Sequence, residues 1–472
     1  MSAARNILAV DLGAESGRVV LCRWTGAEGR LEEIHRFPNG PHTEGGHLVW
    51  DPDRLWQEIV RGLGEGAART GGRIDSVGVD GWGVDYVLLD RAADRVGRTY
   101  CYRDARNLPA MERAFTRLPK KRIYEITGIQ FLPFNTLFQL LAHREEFPEE
   151  WERASVWLTL HDYFQFRLSG VAVAEYTNAS TTQLLEVFSR AWSKELAAAF
   201  DLSLEKFARL VQPGTVLGEL RRELAQEIGL SGTKVIAPPC HDTGSAVAGI
   251  PFPHDELAFI SSGTWSLVGT VLPQPIVSDE ACARNFTNEG GVGGTIRFLS
   301  NVIGLWLLQE CLREWNAQGE SLTAAQLADR CAKMPYEGPF FIGEEMRFLA
   351  PGNMPARINE ALQEQGFGEE KRPEELAGII FRSLARRYAE VLHAAGRISG
   401  KKIRRVCIAG GGVKNQTLNR LTGEASGLEV VRGPSEATAA GNAAVQIAAL
   451  EKASCSAQQV QEIATRLRFP SP

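Results

Sequence analysis

The sequence has no apolar run near the ~20 residues that a bilayer-spanning helix needs, so a helical membrane protein is not indicated. Its N-terminus, "MSAARNILAVDL", offers one arginine and a short apolar run closed by Asp11, a poor secretory signal. The eight cysteines (Cys22, Cys101, Cys240, Cys282, Cys311, Cys331, Cys407, Cys455) are scattered, with no C-x-x-C. Neither a zinc site nor a disulfide framework follows, and a reducing cytoplasm is the expected setting. No H-E-x-x-H occurs among the eight histidines, and His42 and His47 around "TEGG" read as a polar loop. Basic excess is also missing: the net charge is -5. Nothing electrostatic therefore calls for nucleic acid or an anionic membrane as partner. The stretches "REEFPEEWER" and "GEEKRPEEL" are short and mixed in sign, as solvated helix faces are.

The familiar phosphate signatures are absent too. "GRISGKK" (396–402) is one residue short of a P-loop and has Lys402 where Ser or Thr belongs. There is no G-x-G-x-x-G, no H-R-D with D-F-G, and no G-x-S-x-G. What remains is 472 residues, 44% hydrophobic and 23% charged, as in ordinary globular proteins. That length is two to three times a usual domain, so two domains and a cleft are expected.

Along the chain the first half opens with short strands: "NILAVDL", "RVVLCRW" and "RIDSVGVD", the last running into "GWGVD" and "YVLLD". Helical periodicity follows, as in "MERAFTRL" and "FNTLFQLLAHREEF". "KVIAPPCHDTGSAVAGI" then reads as strand, Pro-Pro turn and a helix of small residues. After 246–255 the pattern restarts: "ELAFISSGTWSLVGTVL" is again strand, small turn, strand, like residues 6–20. "RVCIAGGGVKNQTLNRL" delivers three glycines from a strand to a helix start. The expected domains are 1–247 and 248–472.

Consecutive small residues leave backbone N–H groups unshielded and able to converge on one anion. "GAESGR" and "SSGTWS", each open to a tight-hairpin reading alone, occupy matching positions and so read as phosphate cradles. At Gly410, Gly411 and Gly412 a flat ligand such as a purine can approach the backbone at a helix start. Asp242 in "CHDTGSAV" begins a helix so poor in bulk that something must approach it closely, and it is the candidate proton acceptor, although Asp at a helix start is also a favoured cap. Asp11 and Asp80 each end a strand beside glycine. Facing phosphate they would need Mg²⁺ between, a hard ion suited to carboxylate and water ligands.

These segments occur in the order found in the FGGY carbohydrate kinases, which the chain resembles nearly end to end. The resemblance runs through "AVDLGAESGRV", "GWGVDYVLLD", "GIQFLPFNTLFQL", "EYTNASTTQL", "HDTGSAV", "SSGTWSL", "GLWLLQ" and "GPSEATAAGN". It implies an α/β fold of two actin-like (ribonuclease H-like) ATPase domains flanking a catalytic cleft. It also implies an ATP- and Mg²⁺-dependent kinase acting on the 1-hydroxyl of a ketose, with sugar and ATP as its small-molecule partners. By the same resemblance Asp242 is the general base, and Gly83, His241, Thr243 and Asn301 contact the sugar with it. Ala14, Glu15, Ser16, Gly17 and Arg18 cradle phosphates; Thr264, Gln309, Gly411 and Asn415 hold the nucleotide; Asp11 lies near the magnesium. Three positions depart from the family pattern: Gly81 for an expected Thr, Pro239-Cys240 before His241, and Ser300 for an expected Lys. The actin-like fold also serves non-catalytic nucleotide-dependent sensors, but a sensor has no need of a carboxylate at an acceptor hydroxyl. A monomer or a dimer is equally compatible with the sequence.

Overall fold

The computed structural model describes residues 4–341, 345–370, 372–451 and 455–469. In chain order the strands that bear on the site are β1 (Arg5–Leu12), β2 (Ser16–Trp24), β3 (Gly29–Pro38), β4 (Ser76–Gly81), β5 (Val216–Glu219), β6 (Lys234–Ile236), β7 (Leu257–Ser262), β8 (Trp265–Leu272), β9 (Ile296–Ile303), β10 (Arg405–Ala409), β11 (Glu429–Arg432) and β12 (Leu467–Arg468). The helices that bear on the site are α1 (Pro52–Thr70), α2 (Asp242–Ala248), α3 (Trp306–Ala317), α4 (Gln416–Ser426) and α5 (Ala437–Leu450).

The chain forms two compact units. Unit 1 comprises Met1–Pro251, Leu272–Arg297 and Ala437–Pro472; unit 2 comprises Phe252–Val271 and Phe298–Glu436. The opening segment of unit 1 thus ends close to the interruption at 246–255, and two later segments join it. Composition explains how α5 does so. Its run "ATAAGNAAVQIAAL" has so little bulk that its backbone closes on α2, where a Cβ on Gly441 would strike the Ser245 carbonyl. A Cβ on Gly249 would equally strike the carbonyl of Ala437. What approaches the small residues after Asp242 so closely is therefore another helix of the same unit.

In unit 1 the sheet order is β5-β6-β4-β1-β2-β3-β12. Both β6 and β1 pair with β4 in parallel, whereas β1–β2 and β2–β3 are antiparallel. The central strands β1 and β4 are buried on both faces, which is why they read as continuous apolar runs rather than alternating ones. Helix α1 is capped by Asp51, whose carboxylate accepts from the N–H groups of Asp53 and Arg54, and it ends at Gly71 in the left-handed conformation.

In unit 2 the neighbours run β9-β8-β7-β10-β11. Again the hairpin β7–β8 is antiparallel, while β7–β10 and β10–β11 are parallel. This is the order β3-β2-β1-β4-β6 of unit 1, strand for strand. Among the described residues no helix is long and apolar enough to cross a membrane.

Candidate active site

Register places the acidic groups of unit 1. Asp11 lies opposite Arg18 across the hairpin and opposite Asp80 across the parallel pair. Arg18 Nε and Nη2 donate to Asp11 Oδ2 at 2.9 and 2.5 Å. Its guanidinium is thus bound to a carboxylate rather than pointed into the turn. Asp80 is fully buried. Its Oδ2 accepts from Asn442 Nδ2 at 2.5 Å, while Oδ1 has no hydrogen-bond partner. Gln446, one turn along α5, donates to Asn442 Oδ1 (2.6 Å) and accepts from Ser76 Oγ (2.7 Å). Burial, and then the charges of Asp11 and Asp242, hold the Asp80 carboxyl well above the usual range.

The turn between β1 and β2 is pinned by Gly13 N donating to the Ser16 carbonyl at 3.0 Å. Asn39 braces it from outside: its Nδ2 donates to the Gly13 carbonyl at 2.9 Å and its N–H to that of Glu15 at 2.9 Å. Gly17 has a packing reason, since a Cβ there would strike the Phe37 ring.

Asp242 opens α2, but the cap position belongs to His241, and Asp242 makes no cap bond to the following turn. Its Oδ1 accepts from Thr243 N at 2.5 Å and from Thr243 Oγ1 at 3.2 Å. Among the described residues Oδ2 has no hydrogen-bond partner, and the side chain is 35% exposed. Burial raises its pKa above the ordinary aspartate value; His241 opposes the shift and Asp11 adds to it.

His241 is nearly enclosed. Arg297 Nη1 and Nη2 donate to its Nδ1 at 3.2 Å each, and its Nε2 stands 3.5 Å from Asp242 Oδ1. Arg297 itself pairs with Glu289 at 2.9 Å. Gly83 is bare because its missing Cβ would lie 3.2 Å from Thr181 Oγ1 and 3.4 Å from His241 Nε2. Gly81, where Thr was expected, is bare for a different reason: a Cβ there would collide with His161 Nε2 and the Leu12 carbonyl. The ring of His161, fully buried, fills the space a side chain at 81 would need.

The segment "EYTNASTTQL" holds this loop. Glu175 Oε2 accepts from Cys240 N (2.8 Å) and Thr177 Oγ1 (2.5 Å), and Thr177 Oγ1 accepts from His241 N (3.3 Å). "GIQFLPFNTLFQL" is tied to "GWGVD" through the Val84 carbonyl, which accepts from Thr136 Oγ1 at 2.7 Å and Gln139 Nε2 at 3.2 Å. Of the predicted residues, unit 1 therefore gathers Gly83, His241, Asp242 and Thr243 in one place, with Asp11 within electrostatic reach. Sequence reasoning missed Arg297, Glu289, Asn442 and the role of Glu175. An arginine inside the apolar strand run "TIRFLS" was the available signal.

In unit 2 the Thr264 carbonyl accepts from Gly304 N (3.1 Å) and Trp306 N (3.2 Å), joining the "SSGTWS" turn to the start of α3, which carries Gln309. Asn301 lies on β9 and is half-buried, and Ser300 beside it is buried. Of the three glycines, Gly410 (φ +81°) and Gly412 pack against Ser262, whereas a Cβ on Gly411 would meet nothing. Asn415 caps α4, its Oδ1 accepting from Leu418 N at 3.0 Å.

Among the described residues no three His, Cys, Asp or Glu side chains converge as a closed metal site. Mg²⁺ bound through one or two carboxylates, water and phosphate oxygens does not require one. The residues present fit that mode: Asp11 faces Asp80, whose buried Oδ1 lacks a partner and whose charge is opposed by its acidic neighbours.

The sequence pattern described as the FGGY family of carbohydrate kinases, N-terminal domain, matches residues 6–249, and its C-terminal counterpart matches residues 258–450. Among solved structures, gluconate kinase from Lactobacillus acidophilus superposes with a TM-score of 0.78 at 17% identity, covering 98% of this chain and 92% of that one. The ligand-bound xylulose kinase from the same organism gives 0.78 at 17%, covering 97% and 92%. Plasmodium falciparum glycerol kinase with ADP gives 0.77 at 14%, covering 99% and 94%. At these identities the likeness carries the fold and leaves the substrate open.

Proposed function

The chain belongs to the FGGY family of carbohydrate kinases, and we propose that its sugar is L-rhamnulose, phosphorylated by ATP at the 1-hydroxyl to give L-rhamnulose 1-phosphate and ADP in L-rhamnose breakdown. The observation that carries the chemistry is Asp242, whose Oδ1 is occupied by Thr243 while Oδ2 is open to an acceptor hydroxyl. Oδ2 takes the hydroxyl proton as the γ-phosphoryl group is transferred. In a loose phosphoryl-transfer transition state that proton leaves late, so a weak base held in line suffices. The upward shift of its pKa brings Asp242 closer to the task. His241, Thr243, Gly83 and Asn301 orient the sugar. Ala14 to Arg18 lie against phosphate oxygens, and Thr264, Gln309, Gly411 and Asn415 against the nucleotide. Asp11 would hold Mg²⁺, which supplies charge neutralisation at the phosphates.

L-Rhamnulose ends in a methyl group, so its site needs an apolar wall. Trp82, Phe131 and Phe134, each 7–8% exposed, stand on the two segments joined at the Val84 carbonyl and supply it. Such a wall rejects an extra hydroxyl only weakly. The test is ADP release by the purified protein across a ketose and polyol panel. L-Rhamnulose should lead, with kcat/KM for L-fuculose or L-xylulose lower by roughly ten- to a hundred-fold, and glycerol nearly inert. If D-xylulose or glycerol outperforms L-rhamnulose, the enzyme is an FGGY kinase for another substrate and the L-rhamnulose reading fails.

A further inference from the structure

We propose that Arg297 is a positioning residue that locks His241 in the tautomer with its proton on Nε2, so that the imidazole presents one fixed donor beside Asp242. The inference deepens the proposed sugar site and rests on that reading only for what the donor binds.

Three observations converge on it. Arg297 is fully buried and anchored at its Nε, which donates to the Gly290 carbonyl at 2.8 Å. Its two terminal nitrogens both donate to His241 Nδ1 at 3.2 Å. Glu289 Oε2 also stands 3.3 Å from this Nδ1, but off hydrogen-bond geometry, so the guanidinium is the group aligned with it. With five donors and no acceptor, the guanidinium calls for a lone pair there. In a neutral imidazole the proton then sits on Nε2. That nitrogen faces Asp242 Oδ1 at 3.5 Å, and it lies 3.4 Å from where a Cβ on Gly83 would stand. Charge compensation alone does not account for the arrangement. Glu289, at 2.9 Å, already supplies Arg297 with a counter-charge, yet the fork also reaches the histidine. The backbone of His241 is held by Thr177, its N–H donating to Thr177 Oγ1 at 3.3 Å, and Arg297 Nη2 also donates to the Thr177 carbonyl at 3.5 Å. What Arg297 adds is the identity of the protonated nitrogen. A sugar hydroxyl placed against Asp242 as proton donor is then met on its other side by an N–H rather than by a second lone pair.

The test joins a spectroscopic readout to kinetics on the full chain. Nitrogen-15 spectra of histidine-labelled protein, assigned with His241→Asn, should show a protonated Nε2 and a bare Nδ1 for His241 in the wild type. Arg297→Gln should lose this single tautomer and raise KM for the turned-over ketose about ten-fold or more, the worth of one hydrogen bond. KM for ATP should stay within about two-fold, since no nucleotide contact is removed. Arg297→Lys keeps a charge for Glu289 and a donor for Nδ1, and should restore the tautomer and most of the sugar affinity. A proton found on Nδ1 in the wild type overturns the proposal. So does a folded Arg297→Gln protein with wild-type sugar KM. If Arg297→Gln does not fold, the wild-type spectrum and Arg297→Lys decide. Should no ketose be turned over at all, the substrate reading fails in that assay, while the tautomer is still settled by the spectrum.

Discussion

The hairpin β1–β2 of unit 1 and the hairpin β7–β8 of unit 2 sit in the same strand order and carry different chemistry. At the register position where unit 1 sets Asp11 against Asp80, unit 2 sets Ser261 against Ala409. The loops that leave the inner strands differ likewise: β4 of unit 1 ends at Gly81 and runs into Trp82, where β10 of unit 2 leads to the bare backbone of Gly411. It is after β6 that unit 1 adds Asp242. Among the described residues the carboxyls held above their ordinary range (Asp80, Asp85, Asp162, Glu175 and Asp242) all belong to unit 1. One scaffold thus supports two electrostatic characters. The acidic copy can accept a proton and attract a cation. The neutral copy can approach an anion or a flat base without repulsion. Fold and function part here: strand order is common to both, while the chemistry lies in a few side chains at strand ends.

The sharpest way to break the comparison is to neutralise its acidic side at one atom. Asp242→Asn keeps the shape of the side chain and removes the proton acceptor. We expect kcat to fall by at least ~10², with ATP binding nearly unchanged. Retention of more than about a tenth of wild-type turnover would leave Asp242 without its assigned role.

On the neutral side, Gly411→Val places a branched side chain where a Cβ now meets nothing, so the fold should tolerate it. Thermal stabilisation by ATP should vanish while stabilisation by the sugar persists. Equal stabilisation of mutant and wild type by ATP would remove Gly411 from the nucleotide site.

How much of this was legible in the sequence follows from the same contrast. Strands β1, β2 and β7, the turns and the restart of the pattern were readable because apolar runs and small residues report on backbone. Asp242 stood out for the same reason, as a carboxylate between a Pro-Pro turn and a small helix. The partners of that aspartate were not readable. Arg297, Glu289 and Asn442 come from 47 to 200 positions further along the chain, and only the folded sheet brings them near. Composition announced a close approach to the small residues of α2 without saying by what, and the partner is α5. Return of α5 to unit 1 was equally hidden, because a helix that is apolar all round does not reveal which core it enters.

A smaller effect should follow from loosening the loop rather than its carboxylate. Glu175→Gln leaves one oxygen for the Cys240 N and Thr177 Oγ1 donors, but replaces the oxygen that accepts from Thr177 N by an N–H facing an N–H. A buried donor left unpaired costs about 1–3 kcal/mol. We expect a lowered melting temperature and kcat reduced about ten-fold through misplacement of Asp242. Wild-type kinetics in a measurably destabilised protein would show that the loop holds itself.

The smallest expected effect concerns pH, and it tests whether the acidic character of unit 1 is stored in the fold. Asp162 is fully buried, and burial pushes its pKa up to about 8 from 3.8, with the charge of Glu175 adding to the rise. Burial likewise pushes Asp85 up to about 6, against the lowering effect of the indole N–H groups of Trp82 and Trp50 that it accepts from. A carboxyl whose folded pKa is raised stabilises the fold fully below its unfolded pKa, and that contribution is lost as pH rises through the folded value. For these two groups the loss begins near pH 4 and is completed near pH 6 for Asp85 and near pH 8 for Asp162. Hydrogen exchange measured from pH 5 to 8 and corrected for intrinsic rates should therefore show unit 1 weakening with pH more than unit 2. Asp162→Asn should flatten part of that slope. Its side-chain oxygen can still accept from Glu175 N, and the Thr159 hydroxyl can rotate to meet the new amide. The substituted protein should equal or exceed the wild type in stability at pH 8. A slope shared equally by both units, or unchanged by Asp162→Asn, would mean that the buried carboxyls are not what separates the two copies of the fold.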